Sequence, residues 1–275
     1  MPVPQPSSSP VREDTHASVT AQLRAAGCVF AEDEARLMLS DRPSAAELDA
    51  RIARRAAGYP LEHVLGWAEF LDLRITVADG VFVPRRRSEF LARLAIGLVP
   101  RPGAVAVDLC CGSGAVGAAL LIADDRVEVH AADIDPAAVD CARRNVTAPR
   151  GHVHAGDLYA ALPATLRGRV DVLVANAPYV PTGDIGLLPP EAREHEPRVA
   201  LDGGADGLDV QRRVVEGAAG WLAPGGSLLI ETSERQAPAT AAAFAAHGLA
   251  PRAVECDELY ATVVIGTRPP GRTAG

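Results

Sequence analysis

Lysine is absent from this chain of 275 residues, and all 27 of its basic residues are arginine. With few asparagines and isoleucines and much alanine, proline and glycine, that bias reads as a coding preference rather than a phosphate-binding surface. The formal net charge of −8 argues against a large nucleic-acid footprint. Cysteine is scarce too. The five thiols, Cys28, Cys110, Cys111, Cys141 and Cys256, are odd in number and two are adjacent, which makes a poor disulfide framework. No CxxC and no Cys/His spacing typical of zinc occurs, so no metal is expected. Aromatic residues make up only 4% of the chain, and no apolar run approaches the ~20 residues of a membrane-spanning helix. The segment from Met1 to Pro10 lacks a basic n-region and an apolar h-region, so no secretory signal is expected and the compartment is read as cytoplasmic.

What is present changes character along the chain. Residues 1–14 are Pro/Ser-rich and read as a disordered tail. Over 15–65 the pattern is helical. Val19, Leu23 and Ala26 share one face, Ala35, Met38 and Leu39 another, and Ser44-Ala45-Ala46-Glu47 spells a capping box. Over 66–87 an alternating run from Glu69 to Val77, a turn at Ala78-Asp79-Gly80 and a return at Val81-Phe82-Val83 predict a linking hairpin. From 88 to 268 strands and helices alternate. Strands are expected at Val105–Leu109, Val127–Ala132, Val153–Ala155, Val170–Ala175 and Gly226–Glu231, with helices such as Ala115–Ala123 and Pro136–Asn145 between them. That alternation means a parallel sheet covered on both faces. Two final strands without an intervening helix, Ala250–Val254 and Leu259–Gly266, predict an antiparallel finish, and 269–275 is a tail.

The first strand of this region runs into Asp108-Leu109-Cys110-Cys111-Gly112-Ser113-Gly114-Ala115-Val116-Gly117. Glycines there let the backbone turn sharply and approach a ligand at the carboxyl edge of the sheet. Gly112, Gly114 and Gly117 match the dinucleotide pattern, with Asp133 about 20 residues on. Charge separates the two readings. A carboxylate at Asp108, at the strand's lip, would repel a pyrophosphate but suits S-adenosylmethionine, which carries an ammonium and a sulfonium. Asp133 can accept from both ribose hydroxyls, and Asp157, in Gly156-Asp157-Leu158, can accept from the adenine amine.

The fourth strand ends in Asn176-Ala177-Pro178-Tyr179 and faces the same crevice. An amide nitrogen is a poor nucleophile because its lone pair is delocalised. A site that methylates one should hold both N–H groups with acceptors. Asn176 offers a side-chain carbonyl and Ala177 a backbone carbonyl, Pro178 constrains Ala177 to extended geometry, and Tyr179 supplies a flat wall. Such an element also suits methylation of adenine or cytosine amino groups, or of a small molecule or peptide. A non-catalytic cofactor sensor would have no need of it.

With these residues in hand, the chain resembles the protein-(glutamine-N5) methyltransferases that modify peptide-chain release factors. The likeness extends over about 20–268. It includes Pro60-Leu61-Glu62-His63-Val64-Leu65-Gly66, Phe82-Val83-Pro84-Arg85 and, most specifically, Glu196-Pro197-Arg198-Val199-Ala200-Leu201 followed by Gly203-Gly204-Ala205-Asp206-Gly207-Leu208-Asp209. The resemblance implies an α/β fold: a Rossmann-like, class I S-adenosylmethionine-dependent methyltransferase sheet with a small N-terminal helical substrate-recognition domain. It implies S-adenosylmethionine bound by Asp108, Cys110, Cys111, Gly112, Ser113, Gly114, Asp133, Asp157, Leu158 and Asn176. The partner it implies is a release factor offering its Gly-Gly-Gln loop, with no direct nucleic-acid or membrane binding. Three departures stand out: Ala177 replaces a proline, Cys110 a glycine, and Arg85-Arg86-Arg87-Ser88-Glu89 the family's Arg-Pro-Asp-Thr-Glu. The arginine run reads either as a partner-binding patch or as a solvated linker with a structural Arg85. His152 and His154 read as ordinary strand residues rather than ligands, and Glu62 and His63 as packing residues.

Overall fold

A computed structural model describes residues 10–100, 102–147 and 149–270. The chain divides between Gly66 and Trp67 into two compact units.

The first unit is helical: α1 (Pro10–Ala25), α2 (Ala31–Met38), α3 (Ala45–Ala56) and the single turn α4 (Leu61–Leu65). Helix α1 begins inside the segment read as a tail; residues 1–9 lie outside the described residues. Val19, Leu23, Ala31, Ala35, Met38, Ile52 and Val64 form the unit's core. Ala26 falls past the end of α1 and is exposed, so the helical face stops one step earlier than its spacing suggested. The capping box at Ser44 forms in both directions, satisfying two amides at the start of α3. Arg55 and Glu34 make a nearly buried ion pair at 2.6 Å.

The second unit opens with a hairpin, β1 (Trp67–Phe70) and β2 (Leu73–Thr76). Its turn is Leu71-Asp72, both at positive φ (49° and 62°), not Ala78-Asp79-Gly80 as the sequence suggested. Two left-handed residues in a row match the right-handed twist of paired strands, and the alternation through Leu71 concealed them. Ala68, Phe70, Ile75, Val77, Val81 and Val83 all join the core of this unit, so the segment is part of its packing.

The sheet follows. In chain order come α5 (Ser88–Gly97), β3 (Val105–Leu109), α6 (Ala115–Ala123), β4 (Glu128–Asp133), α7 (Pro136–Asn145), β5 (Gly151–Ala155) and β6 (Val170–Ala175). Then come α8 (Pro190–His195), α9 (Asp209–Ala218), β7 (Leu222–Thr232), α10 (Ala237–Ala246), β8 (Ala250–Cys256) and β9 (Ala261–Thr267). The strand order is β5-β4-β3-β6-β7-β9-β8. The first five are parallel, while β9 runs antiparallel to β7 and β8 antiparallel to β9. Strands β3 and β6 are buried at every residue, as central strands covered on both faces must be. One face packs on α5, α6, α7 and the hairpin through Val129, Ala131, Val172 and Val174; the other packs on α9 and α10 through Val107, Leu173, Leu228 and Phe244.

This topology sets the site. Register pairs Leu109 with both Ala132 and Ala175, and Ala175 with Ile230. Strand ends therefore present Asp133, Cys110, Asn176 and Glu231 in a row along the carboxyl edge, about 4.8 Å per strand.

Candidate active site

The loop after β3 makes its turn through three left-handed residues, Cys110 (φ 55°), Gly112 (54°) and Gly114 (77°), before α6 begins. Glycine adopts that region freely; a side chain there costs roughly 1–2 kcal/mol. Cys110 carries that strain, where the family it resembles is expected to place a glycine. A Cβ on Gly114 would lie 2.9 Å from Val146 Cγ2, so this glycine is needed for the loop to settle on α7, whereas one on Gly112 would meet open space. Asn145, at the end of α7, holds the arrangement. Its amide donates to the carbonyls of Thr76 (2.9 Å) and Ser113 (2.8 Å), and its Oδ1 accepts from the Thr76 amide at 2.9 Å. In the sequence Asn145 is marked only as the last residue of a helical stretch, Pro136–Asn145.

Asp108 is not at the lip. It is 2% exposed, and its Oδ2 accepts from the Gly117 amide at 3.0 Å, beneath the loop and at the first turn of α6. The alternation of strand side chains puts it with Ala106 on the face that α6 covers, so it ties the loop to the helix from below. Burial lifts its carboxyl to about 7. Asp133 does stand at its strand end. One oxygen accepts from the Gly112 amide at 2.8 Å and the other from the Asp135 amide at 2.9 Å; burial also raises its pKa. Asp157 follows β5 and pairs with Arg213 at 2.6 Å, while Leu158, at φ 47°, is buried. The Arg213 contact was not foreseen, because α9 is 56 residues away in sequence.

Asn176 and Ala177 follow directly on the end of β6. The Asn176 amide nitrogen donates to Ser88 Oγ at 3.2 Å, across 88 residues of sequence. With Nδ2 so held, Oδ1 is the atom left to accept. Ala177 is 1% exposed. The Tyr179 hydroxyl donates to Glu231 Oε1 at 3.3 Å, and Arg87 Nε approaches the same oxygen at 3.2 Å with its guanidinium 5.7 Å from the Tyr179 ring centre. Burial, then the Glu231 charge, push the phenol up. Glu231 is 1% exposed and was missed; the signal was a lone carboxylate closing the apolar run Leu228-Leu229-Ile230.

The glycine-rich segment after α8 packs on this tetrapeptide. A Cβ on Gly203 would stand 2.6 Å from the Pro178 carbonyl, and one on Gly207 would overlap the Tyr179 carbonyl. Gln236 Nε2 donates to the carbonyls of Tyr179 and Asp206, both at 3.0 Å. Of the arginine run, Arg85 is structural: both Glu196 oxygens accept from it at 2.6 Å, and Glu196 Oε1 also takes the Val83 amide at 3.2 Å. Arg87 belongs to the Tyr179 wall, and Arg86 is exposed.

The loop, with an open approach at Gly112, an acceptor at Asp133 and a carboxylate beneath, suits a cationic nucleoside better than a pyrophosphate. Comparison with known proteins agrees. Residues 72–186 match the methyltransferase small domain family. The chain is 40% identical over 198 residues to a release factor glutamine methyltransferase of Streptomyces coelicolor, covering 70% of each protein. It is 39% identical over 220 residues to that of Mycolicibacterium smegmatis, covering 78% of each. Among solved structures, a methyltransferase from Pyrococcus furiosus shares the fold at TM-score 0.53 and 17% identity, over 80% of this chain and 98% of that one. The 16S rRNA N2 G1207 methyltransferase of T. thermophilus does so at 0.52 and 22%, over 74% and 49%. These are fold likenesses only. With sheet, cofactor loop and sequence in agreement, the chain belongs to the release factor glutamine methyltransferase family and is an S-adenosylmethionine-dependent methyltransferase.

Proposed function

We propose that this enzyme methylates the side-chain amide nitrogen (N5) of a glutamine in a peptide-chain release factor, and that Asn176 and Ala177 hold that nitrogen. The relatives' names support the substrate class. The carrying observation is the Ser88–Asn176 hydrogen bond, which fixes the carboxamide with its oxygen left to accept.

Asp133 is the acceptor for the ribose hydroxyls, and Cys110 to Gly114 form the loop against the methionyl end. Asp157 and Leu158 flank the base. When bound, S-adenosylmethionine supplies an electrophilic methyl carbon on a positively charged sulfur. The chain's own task is positioning: Asn176 Oδ1 and the Ala177 carbonyl take one N–H each and aim the lone pair, Pro178 fixes the Ala177 carbonyl, and Tyr179 walls the pocket. Orientation of this kind contributes roughly 7–11 kcal/mol in favourable cases. The two acceptors tighten further as positive charge develops on the nitrogen.

The helical unit is assigned to substrate recognition. Val29 and Phe30, 83% and 69% exposed between α1 and α2, give it an apolar contact point. Action on a translation factor puts the enzyme in the cytoplasm; among the described residues no helix is long and apolar enough to cross a membrane.

The test is incubation with labelled S-adenosylmethionine and either a release factor bearing Gly-Gly-Gln or its Gln→Ala variant. Label on the first alone is expected. Equal label on both would overturn the glutamine assignment, and label on neither would overturn the release factor as substrate.

A further inference from the structure

The strand pair β4–β5 carries a cluster that the methyl-transfer site does not use. Glu128 and His130 lie two residues apart on β4 and so share a face; His152 and His154 do the same on β5. Parallel pairing sets His130 beside His152 and Ala132 beside His154. All four side chains thus meet on one face of the sheet's edge.

The donor atoms converge. Glu128 Oε1 is 3.0 Å from His130 Nε2 and 3.8 Å from His152 Nε2, and one donor atom from each of these three residues falls within 4.8 Å of the others. Tetrahedral zinc, with bonds near 2.0–2.2 Å, places its ligands about 3.4 Å apart. The separations of 3.0 and 3.8 Å straddle that value. The His130 ring stacks on His152 (centres 4.8 Å apart) and on His154 (5.3 Å), which keeps the imidazoles aligned. We propose that Glu128, His130 and His152 bind one zinc-class divalent cation, with His154 as the positioning residue behind His130.

Imidazole ligates metals in its neutral form, through whichever ring nitrogen carries no proton. His130 Nδ1 lies 3.0 Å from His154 Nε2. Without metal, a consistent network has His154 Nε2–H donating to His130 Nδ1 and His130 Nε2–H donating to Glu128. On binding, His130 releases its Nε2 proton to solvent and takes the His154 proton on Nδ1. His154 regains one from solvent on Nδ1, so no net proton is released. His130 then donates to His154, the outer-sphere contact that metal-bound histidines regularly make.

Two imidazoles and one carboxylate select a late first-row divalent ion such as zinc over magnesium or calcium, which prefer all-oxygen sites. Three protein ligands leave a fourth position for water. Glu128 and His152 side chains are each 41% exposed, so the ion can enter from solvent, whereas His130 is 6% exposed and anchors the site. The Arg169 charge also reaches His130 and offsets part of the affinity. The ion would clip edge strand β5 to β4, whose far ends carry Asp133 and the Gly156-Asp157 turn.

The experiment uses the full chain, stripped with EDTA and titrated with zinc chloride against a chromophoric chelator. One equivalent per chain is expected, with Tm raised by about 5 °C or more at hundredfold excess over Kd. Cobalt chloride should give a visible ligand-field band saturating at the same equivalent. His152→Ala and Glu128→Gln, both at part-exposed positions, should each weaken binding at least about tenfold, and His154→Gln by about 10–100-fold. Absence of a stoichiometric site would overturn the proposal. So would equal affinity in a folded His152→Ala/Glu128→Gln double variant, which would put the ion elsewhere, for instance at the thiols.

Discussion

Removing the Asn176 carboxamide should cost the enzyme turnover far more than it costs cofactor binding, and the Ser88 contact gives that expectation a quantitative cross-check. On the proposed assignment, Asn176→Ala takes from the substrate nitrogen one of its two acceptors. The loss of one such group costs about 2.7–4 kcal/mol, or about 10²–10³ in kcat. Ser88→Ala removes only the 3.2 Å hydrogen bond that orients the carboxamide. One neutral hydrogen bond is worth about 1 kcal/mol, so kcat should fall about fivefold. If Ser88 acts solely through Asn176, the double variant should be no slower than Asn176→Ala, giving a coupling energy of about 1 kcal/mol. Single-turnover rates with saturating cofactor, together with calorimetric affinity for S-adenosylmethionine, measure both quantities. Additive losses would refute the coupling. A cofactor affinity that fell in step with kcat would refute the assignment of Asn176 to the methyl acceptor.

Three other outcomes follow from the geometry. Because burial raises the Asp108 carboxyl to about 7, its ionised fraction grows as pH rises through neutrality. A cationic cofactor favours the ionised form, so affinity should tighten from pH 6 to 8, and calorimetry on Asp108→Asn should show that slope flattened; an unchanged slope would discount the buried charge. Glu196→Ala leaves the Arg85 guanidinium and the Val83 amide without their shared acceptor, so stability should drop by about 3 kcal/mol and Tm by roughly 6–12 °C in a thermal melt. Gly207→Ala forces a side chain at φ 78° against the Tyr179 carbonyl, so methyl transfer should collapse while circular dichroism still reports a folded sheet.

Much of the fold was legible because central parallel strands are buried on both faces and read as apolar runs. Val105–Leu109 and Val170–Ala175, each interrupted by a single aspartate, fall where those runs predict. Edge and outer strands were blurred: β5 begins at Gly151 rather than Val153, and β7 extends back to Leu222, because half-exposed residues dilute the pattern. The hairpin turn was misplaced because Leu71 looks like a strand residue until its positive φ is seen. At the sheet's carboxyl edge the residues carried by short motifs lie side by side, whereas the contacts that hold them across the chain had no local signal. Ser88 reaches Asn176, Asn145 reaches Thr76 and Ser113, and Arg213 reaches Asp157 over separations that no local spacing encodes. Asp108 was expected at the strand's lip but lies buried beneath the loop, where the Gly117 amide meets it, a contact nine residues away that the lip position did not suggest. The four residues Glu128, His130, His152 and His154 escaped notice as a group because they lie on two strands joined only through register.

The most direct measurement is a crystal structure of the full chain with S-adenosylhomocysteine and a glutamine-containing Gly-Gly-Gln peptide. The glutamine nitrogen should donate to Asn176 Oδ1 and to the Ala177 carbonyl at about 2.9 Å each, with the cofactor's ribose on Asp133. A carboxamide at Asn176 swung away from the peptide, or a peptide amide bound on the far side of Tyr179, would contradict the assignment.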